Sequence, residues 1–163
     1  MTEELLERPA VKRVAETLAA AGSEATVIVL SDTARTAEDA ASSLGCELGA
    51  IVKSLVFAIG GQPVMALVAG DKRCNTKALP AALGMTGKAK RADADIVRET
   101  TGFSIGGGAP VGHLNAIPLV IDQSLLRFEV VYAAAGHPHC VFATSVAELS
   151  ALTGADVSDT LAE

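Results

Sequence analysis

Two stretches of the chain carry residue types that are hard to explain by core packing alone. One is Lys53, which interrupts the apolar run Ile51-Val52-Lys53-Ser54-Leu55-Val56-Phe57. Lysine is almost never fully buried unless it is paired. In a strand its side chain shares a face with Leu55 and Phe57. If that face is inside, the ammonium needs an anion such as a phosphate or carboxylate to offset its desolvation. If the face is partly open, the side chain snorkels to water. Both readings stand at this point.

The other is the loop Gly102 to His113, with five glycines and one proline between apolar segments. The run Gly106-Gly107-Gly108 followed by Ala109-Pro110 weakens any regular element. Successive backbone N–H groups in such a loop form a nest for an anion or a polarised carbonyl oxygen. The spacing fits neither the dinucleotide fingerprint nor the Walker loop, which ends in Gly-Lys-Ser/Thr. A plain surface turn is the alternative.

Other chemistry is thinner. His137-Pro138-His139-Cys140 places two histidines and a cysteine within four residues, but His113, Cys46 and Cys74 are scattered without zinc-ligand spacing. No metal and no cofactor is expected. Cys140 beside Val141 and Phe142 reads as a small apolar core residue. From Asp71 to Arg91 the charges Lys72, Arg73, Lys77, Lys88, Lys90 and Arg91 stand against one acid, Asp71. That is the best stretch for facing phosphate; a solvated surface is the alternative.

The whole chain constrains these sites. It has 163 residues, half of them hydrophobic, which suits one domain over residues 1–163 with one aliphatic core. Four Phe, one Tyr and no Trp offer little for stacking bases. A net charge of −6 argues against coating nucleic acid through a global field, though not against a local basic patch. Three widely spaced cysteines make no disulfide framework. The charged start, Met1 to Arg8, is unlike a signal peptide, and no apolar run is long enough to span a membrane. A cytoplasmic location is expected.

The elements that must position these residues follow from periodicity and punctuation. Helices are expected over Pro9 to Ala21, Ala37 to Leu44, Asn75 to Leu83, Asp93 to Thr101 and Val146 to Leu152. Thr36 and Ser145 start capping boxes. Ala50 to Ile59 and Pro63 to Ala69 around Gly60-Gly61 read as a hairpin. Further strands are expected at Thr26 to Leu30, Ile117 to Ile121, Glu129 to Ala134 and Cys140 to Ala143. Pro118 marks its strand as an edge. Asp156 to Glu163 reads as a tail or frayed turn. The fold class is α/β, with a mixed, mostly antiparallel sheet.

These features, taken in order from Thr26 to Gly154, resemble the YbaK family, also called the prolyl-tRNA synthetase-associated editing domain. Thr36-Ala37-Glu38-Asp39 with Leu44-Gly45 is similar to its early helix. Ile51 to Val56 is similar to its lysine strand, and Gly70-Asp71-Lys72-Arg73 with Lys77-Ala78-Leu79 to its post-hairpin segment. Thr101-Gly102-Phe103 and Gly106 to Gly112 are similar to its GxxxP loop, with Gly106 and Pro110 as the ends.

The resemblance implies a barrel-like sheet flanked by helices. It implies a hydrolase that removes a noncognate amino acid (Ala, Ser, Thr or Cys) from a tRNA, often tRNA-Pro. Lys53 and the amides of Gly106, Gly107 and Gly108 would serve catalysis. Ser54, Ala109, Pro110, His139, Lys72 and Arg73 would bind substrate. Partners would be the tRNA 3′ aminoacyl end and an aminoacyl-tRNA synthetase. Some relatives carry an acid in the strand after the last glycine turn. Here Gly136 to Phe142 offers no carboxylate, and His139 is the polar residue in its place. No Ser-His-Asp arrangement is evident, so the nucleophile would be a water or the ribose hydroxyl. The alternative is a domain that binds a tRNA end or a nucleotide and docks a synthetase without chemistry.

Overall fold

The computed structural model describes residues 2–30, 36–103 and 108–162. Two helices open it, α1 (Thr2–Leu6) and α2 (Pro9–Ala20). Pro9 stands at the start of α2, where its missing N–H costs nothing. Val11, Val14 and Leu18 repeat at helical spacing and are buried. Strand β1 (Val27–Val29) follows, then α3 (Ala37–Leu44). Thr36 Oγ1 accepts the Asp39 N–H at 3.1 Å, and Gly45 closes the helix in the left-handed region.

Strands β2 (Val52–Ile59) and β3 (Gln62–Ala69) form the expected hairpin, pairing from Val52↔Ala69 to Ile59↔Gln62. Its two-residue turn needs positive φ at both positions, and Gly60 (57°) and Gly61 (83°) provide it. Next come α4 (Leu79–Ala82), β4 (Ala89–Arg91) and α5 (Ala94–Thr101). The chain ends with β5 (Leu119–Asp122), β6 (Val131–His137), β7 (Cys140–Thr144), α6 (Val146–Thr153) and β8 (Asp156–Ser158).

The strands make a three-stranded sheet, β1-β7-β6, and a five-stranded sheet, β4-β2-β3-β5-β8. The β3–β5 and β5–β8 pairs are parallel and the others antiparallel. A bridge between Ile51 and Tyr132 joins the two sheets. Among the described residues they do not close into a barrel, so the barrel-like expectation gives way to two linked sheets. The main core lies between them, with Met65, Leu67, Ile121, Ala133 and Phe142 from the sheets and α2 and α6 covering it. Each fully buried large side chain there contributes about 1.5–3 kcal/mol. A second cluster on the other face of β2 and β3 joins Phe57, Val64, Val68, Leu79 and Leu161.

Three expectations need correction. The helix expected over Asn75 to Leu83 is a turn followed by the four residues of α4. Asn75 Oδ1 accepts the Lys77 N–H at 3.2 Å, which competes with helix, and Pro80 prefers a first turn. The strand beside Pro118 is interior, because Pro118 precedes it and lends only its carbonyl, to Met65 N–H at 2.9 Å. The tail contains β8, whose pairing with β5 is a main-chain interaction that side-chain pattern does not announce. Beyond it, the Ala162 N–H donates to buried Asp122 at 3.0 Å.

Candidate functional site

The open part of β2 is where the site lies. Strand β4 pairs with β2 only over Phe57 to Ile59. Between that stretch and the Ile51–Tyr132 bridge, the β2 edge faces a cavity instead of a strand. The backbone direction there can be worked out. Met65 N–H points to Pro118, away from β2, so the Val56–Met65 pair exchanges no main-chain bonds. The Val56 carbonyl turns outward and accepts the Ala92 N–H at 3.4 Å, while the Ile51 carbonyl turns inward to Gly70 N–H at 2.7 Å. By alternation, the N–H and C=O of Ser54 point outward, into the cavity.

The cavity measures about 330 Å³. Its walls come from β2 (Lys53 to Val56), α3 (Ala37, Ala40), α5 (Val97, Thr101), the sheet residues Tyr132 and Ala134, and Gly108. Most of the wall is methyl and methylene. Ser54 Oγ is buried and has no hydrogen-bond partner among the described residues. A buried hydroxyl left unpaired costs about 1–3 kcal/mol, so such a group in a cavity wall is positioned for a polar ligand atom.

Lys53 and Ser54 fall on opposite faces of β2, since Lys53 pairs with Val68 and Ser54 with Leu67. Both still line the cavity because it opens at the strand's edge. Half-buried Lys53 donates from Nζ to the carbonyl of Lys72. That carbonyl belongs to the turn after β3, which is tied down by Asp71. Arg127 meets Asp71 through two bonds, Nη1–Oδ2 at 2.9 Å and Nη2–Oδ1 at 2.6 Å. Arg127 also donates to the Ser124 carbonyl at 2.7 Å and lies 5.0 Å over the Phe128 ring. The Arg127 bond holds the Asp71 carboxyl below the usual carboxylate range. Gly49 leaves room for this arginine, as a Cβ there would sit 2.8 Å from Nη2.

The remaining expected residues are spread around the cavity. Gly106 and Gly107 lie outside the described residues. Gly108 lines the cavity, and Ala109 and Pro110 behind it are buried. Lys72 contributes its carbonyl to Lys53, while Arg73 is exposed and not on the wall. His139 sits in the β6–β7 turn, where its N–H donates to His137 Nδ1 at 3.1 Å and the two rings lie 5.2 Å apart. It is Pro138 between them that reaches the wall. Cys140 is buried, and burial pushes its thiol up, which suits a core residue and not a nucleophile. Among the described residues, no group of three or more His, Cys, Asp or Glu is arranged to hold a metal ion.

Sequence reasoning passed over Tyr132 and gave Arg91 and Thr36 only as part of a basic stretch and a helix cap, yet all three line the cavity. Tyr132 is the only tyrosine of the chain, the one signal it offered. Arg91 belonged to the basic stretch, but only β4 pairing brings it beside β2. Among the described wall residues there is no carboxylate, histidine or cysteine. The wall therefore offers two cations, Lys53 and Arg91, with hydroxyls and main-chain groups. Such a set stabilises developing negative charge but provides no ordinary general base.

The family model described as aminoacyl-tRNA editing domain matches residues 31–152. The uncharacterized protein YwhH of Bacillus subtilis is 34% identical over 116 residues, covering 71% of this chain and 73% of that protein. A proline–tRNA ligase of Citrifermentans bemidjiense is 38% identical over 88 residues, which are 54% of this chain but only 15% of the ligase. A solved structure of a candidate trans-editing enzyme for prolyl tRNA synthetase superposes with a TM-score of 0.89 at 40% identity, covering 96% of this chain and 98% of that one. A cavity at an open strand edge, walled by a lysine, an unpartnered serine and a glycine loop, thus lies within the matched region, and the chain belongs to the aminoacyl-tRNA editing domain family.

Proposed function

We propose that the cavity binds the aminoacylated 3′ end of a tRNA and hydrolyses its ester, with tRNA-Pro carrying Ala, Ser, Thr or Cys as the substrate class. The observation that carries this reading is the meeting of Lys53, Ser54 and Gly108 around one cavity of a size that suits a small aminoacyl group. Lys53 offers a positive charge to a phosphate or ribose oxygen. Ser54 offers its hydroxyl and, at the open edge, a main-chain donor and acceptor. Backbone N–H groups of the glycine loop, with Gly108 on the cavity wall, stabilise the oxyanion as the carbonyl carbon becomes tetrahedral.

Hydrolysis needs an oxygen nucleophile, and none of the described wall side chains is an activated one. A water attacks the carbonyl carbon, and the neighbouring ribose hydroxyl relays the proton that the water gives up. The bond to the ribose oxygen breaks, and that oxygen takes up the proton. A synthetase is the natural source of the mischarged tRNA, since the same domain type matches a part of proline–tRNA ligases.

The test is a deacylation panel of purified protein against tRNA-Pro charged with Ala, Ser, Thr, Cys or Pro. Release of a noncognate amino acid, with Pro spared, is the expected result. No release from any of these would end the hydrolase assignment for tRNA-Pro. Tight binding of the tRNA end without turnover would assign a docking module instead.

A further inference from the structure

The loop after α5 has two ends, and one side chain from α2 holds both. Arg13 donates from Nε to the Gly112 carbonyl at 2.6 Å and from Nη2 to the Thr101 carbonyl at 3.2 Å. Thr101 is the last residue of α5, and a helix's final carbonyls lack partners within the helix. The guanidinium carbon also lies 4.9 Å from the centre of the Phe103 ring, which is fully buried. Phe103 meets His113 edge-on at 6.0 Å, and His113 Nε2 is 2.7 Å from the Ala109 carbonyl. Ala109 adjoins Gly108, a cavity wall residue. One continuous set of contacts thus runs from Arg13 to the wall.

The backbone is shaped for this approach. Gly102 has φ of 80°, and a Cβ there would lie 2.7 Å from Leu114 and collide with the Arg13 guanidinium. A planar guanidinium can reach two carbonyls and stack on a ring at once, whereas a lysine ammonium is a single point charge. Arg13 lies ahead of residue 31, outside the region matched by the family model.

We propose that Arg13 is a positioning residue for the editing reaction, clamping both ends of the glycine loop so that Gly108 faces the cavity with Ala109 and Pro110 packed behind it. It touches no substrate; it acts through the Gly112 and Thr101 carbonyls and the Phe103–His113 pair. The proposal rests on the hydrolase reading above for its catalytic part only.

The test uses the full chain with Arg13→Lys and Arg13→Met, read in two ways. Amide hydrogen exchange of the free protein reports the clamp without any substrate. Single-turnover deacylation reports its consequence. In both variants the amides from Gly108 to His113 should exchange at least about tenfold faster, while those of β3 and α6 keep their rates. The maximal rate should fall roughly 10- to 100-fold with tRNA affinity changed by less than about threefold, because misplacing a donor by about 1 Å is that costly.

Unchanged exchange at Gly108 to His113 would overturn the clamp, as would a uniform rise across the molecule that merely follows lower global stability. A full rate in a variant with faster loop exchange would overturn the positioning role. Should Arg13→Met fail to fold, Arg13→Lys keeps the charge and decides the matter. If the wild type deacylates nothing, the hydrolase reading and the catalytic part fall together, and exchange still judges the clamp.

Discussion

The two sides of the cavity are secured in opposite ways. On the β2 side, Lys53 is held by a single main-chain acceptor, Lys72, in a turn fastened by an Asp71–Arg127 pair that is about one-third to two-fifths exposed. On the loop side, Gly108 to Pro110 rest on fully buried Phe103, half-buried His113 and the Arg13 guanidinium. A lysine stem is flexible and carries its charge on a single ammonium. Three consecutive glycines offer no side chain to pack, so this part of the chain depends on contacts made by Phe103, His113 and Arg13. Lys53 is thus held by one bond, whereas the chain from Gly108 to His113 is held by several contacts.

The strongest way to break this comparison is to remove the cation. Lys53→Ala should lower kcat/KM for deacylation by roughly 10²- to 10³-fold, the usual cost of losing a charged or oxyanion-stabilising donor. Steady-state kinetics on a mischarged tRNA measure it. A loss smaller than about threefold would mean that Lys53 serves only the Lys72 turn.

A smaller effect is expected at Ser54. Its hydroxyl is buried without a partner, so Ser54→Ala removes an unsatisfied group from the free protein. Thermal stability should be unchanged or slightly raised, while KM rises by about fivefold if the hydroxyl bonds substrate, equivalent to a hydrogen bond of about 1 kcal/mol. A drop in stability with unchanged KM would place the hydroxyl in a structural role.

The two sides should also differ in pH response. Burial holds the His113 imidazole below the ordinary histidine value. The folded state therefore binds that proton less readily than the unfolded chain. Its contribution to stability is complete above about pH 6.5 and is lost as pH falls below that value toward the folded pKa. The depressed Asp71 carboxyl works in the same direction much lower. Its contribution is present above the ordinary carboxylate value and is lost only as pH falls through the folded pKa. Melting curves from pH 8 to pH 3 should show an early decline that His113→Phe flattens. A decline unchanged in His113→Phe would assign it to other groups.

The smallest expected effect is at the exposed pair. Asp71→Asn should change stability by less than about 1 kcal/mol, since water screens such pairs. Deacylation should fall only a few-fold. A loss as large as that of Lys53→Ala would show that the tether on the β2 side is as rigid as the loop brace.

Much of the local structure was legible because it depends on neighbours in sequence. Thr36 and Ser145 cap helices as their spacing predicts. The Gly60-Gly61 turn sets the β2–β3 register. Lys53 stood out as a charge in an apolar strand, and its odd position correctly put it on the face of Leu55 and Phe57. What was not legible depends on partners far along the chain. β8 is a three-residue strand recognised by β5 through main-chain bonds. The interior place of β5 rests on β3 and β8 together, which no pattern around Pro118 reveals.

The site divides along the same line. Its chemistry types, a lone strand lysine with serine beside it and a glycine-rich loop, are properties of the sequence, because residue type and spacing alone mark them as exceptions to core packing. Their meeting was decided by the tertiary structure. β4 stops short along β2, so the edge at Ser54 stays open and Lys53 and Ser54 line one cavity from opposite faces. Arg13, about ninety residues before the loop it braces, is an ordinary helix arginine in the sequence. Only folding brings its guanidinium within bonding distance of Thr101 and Gly112, since a contact across that separation depends on the packing of every element between them.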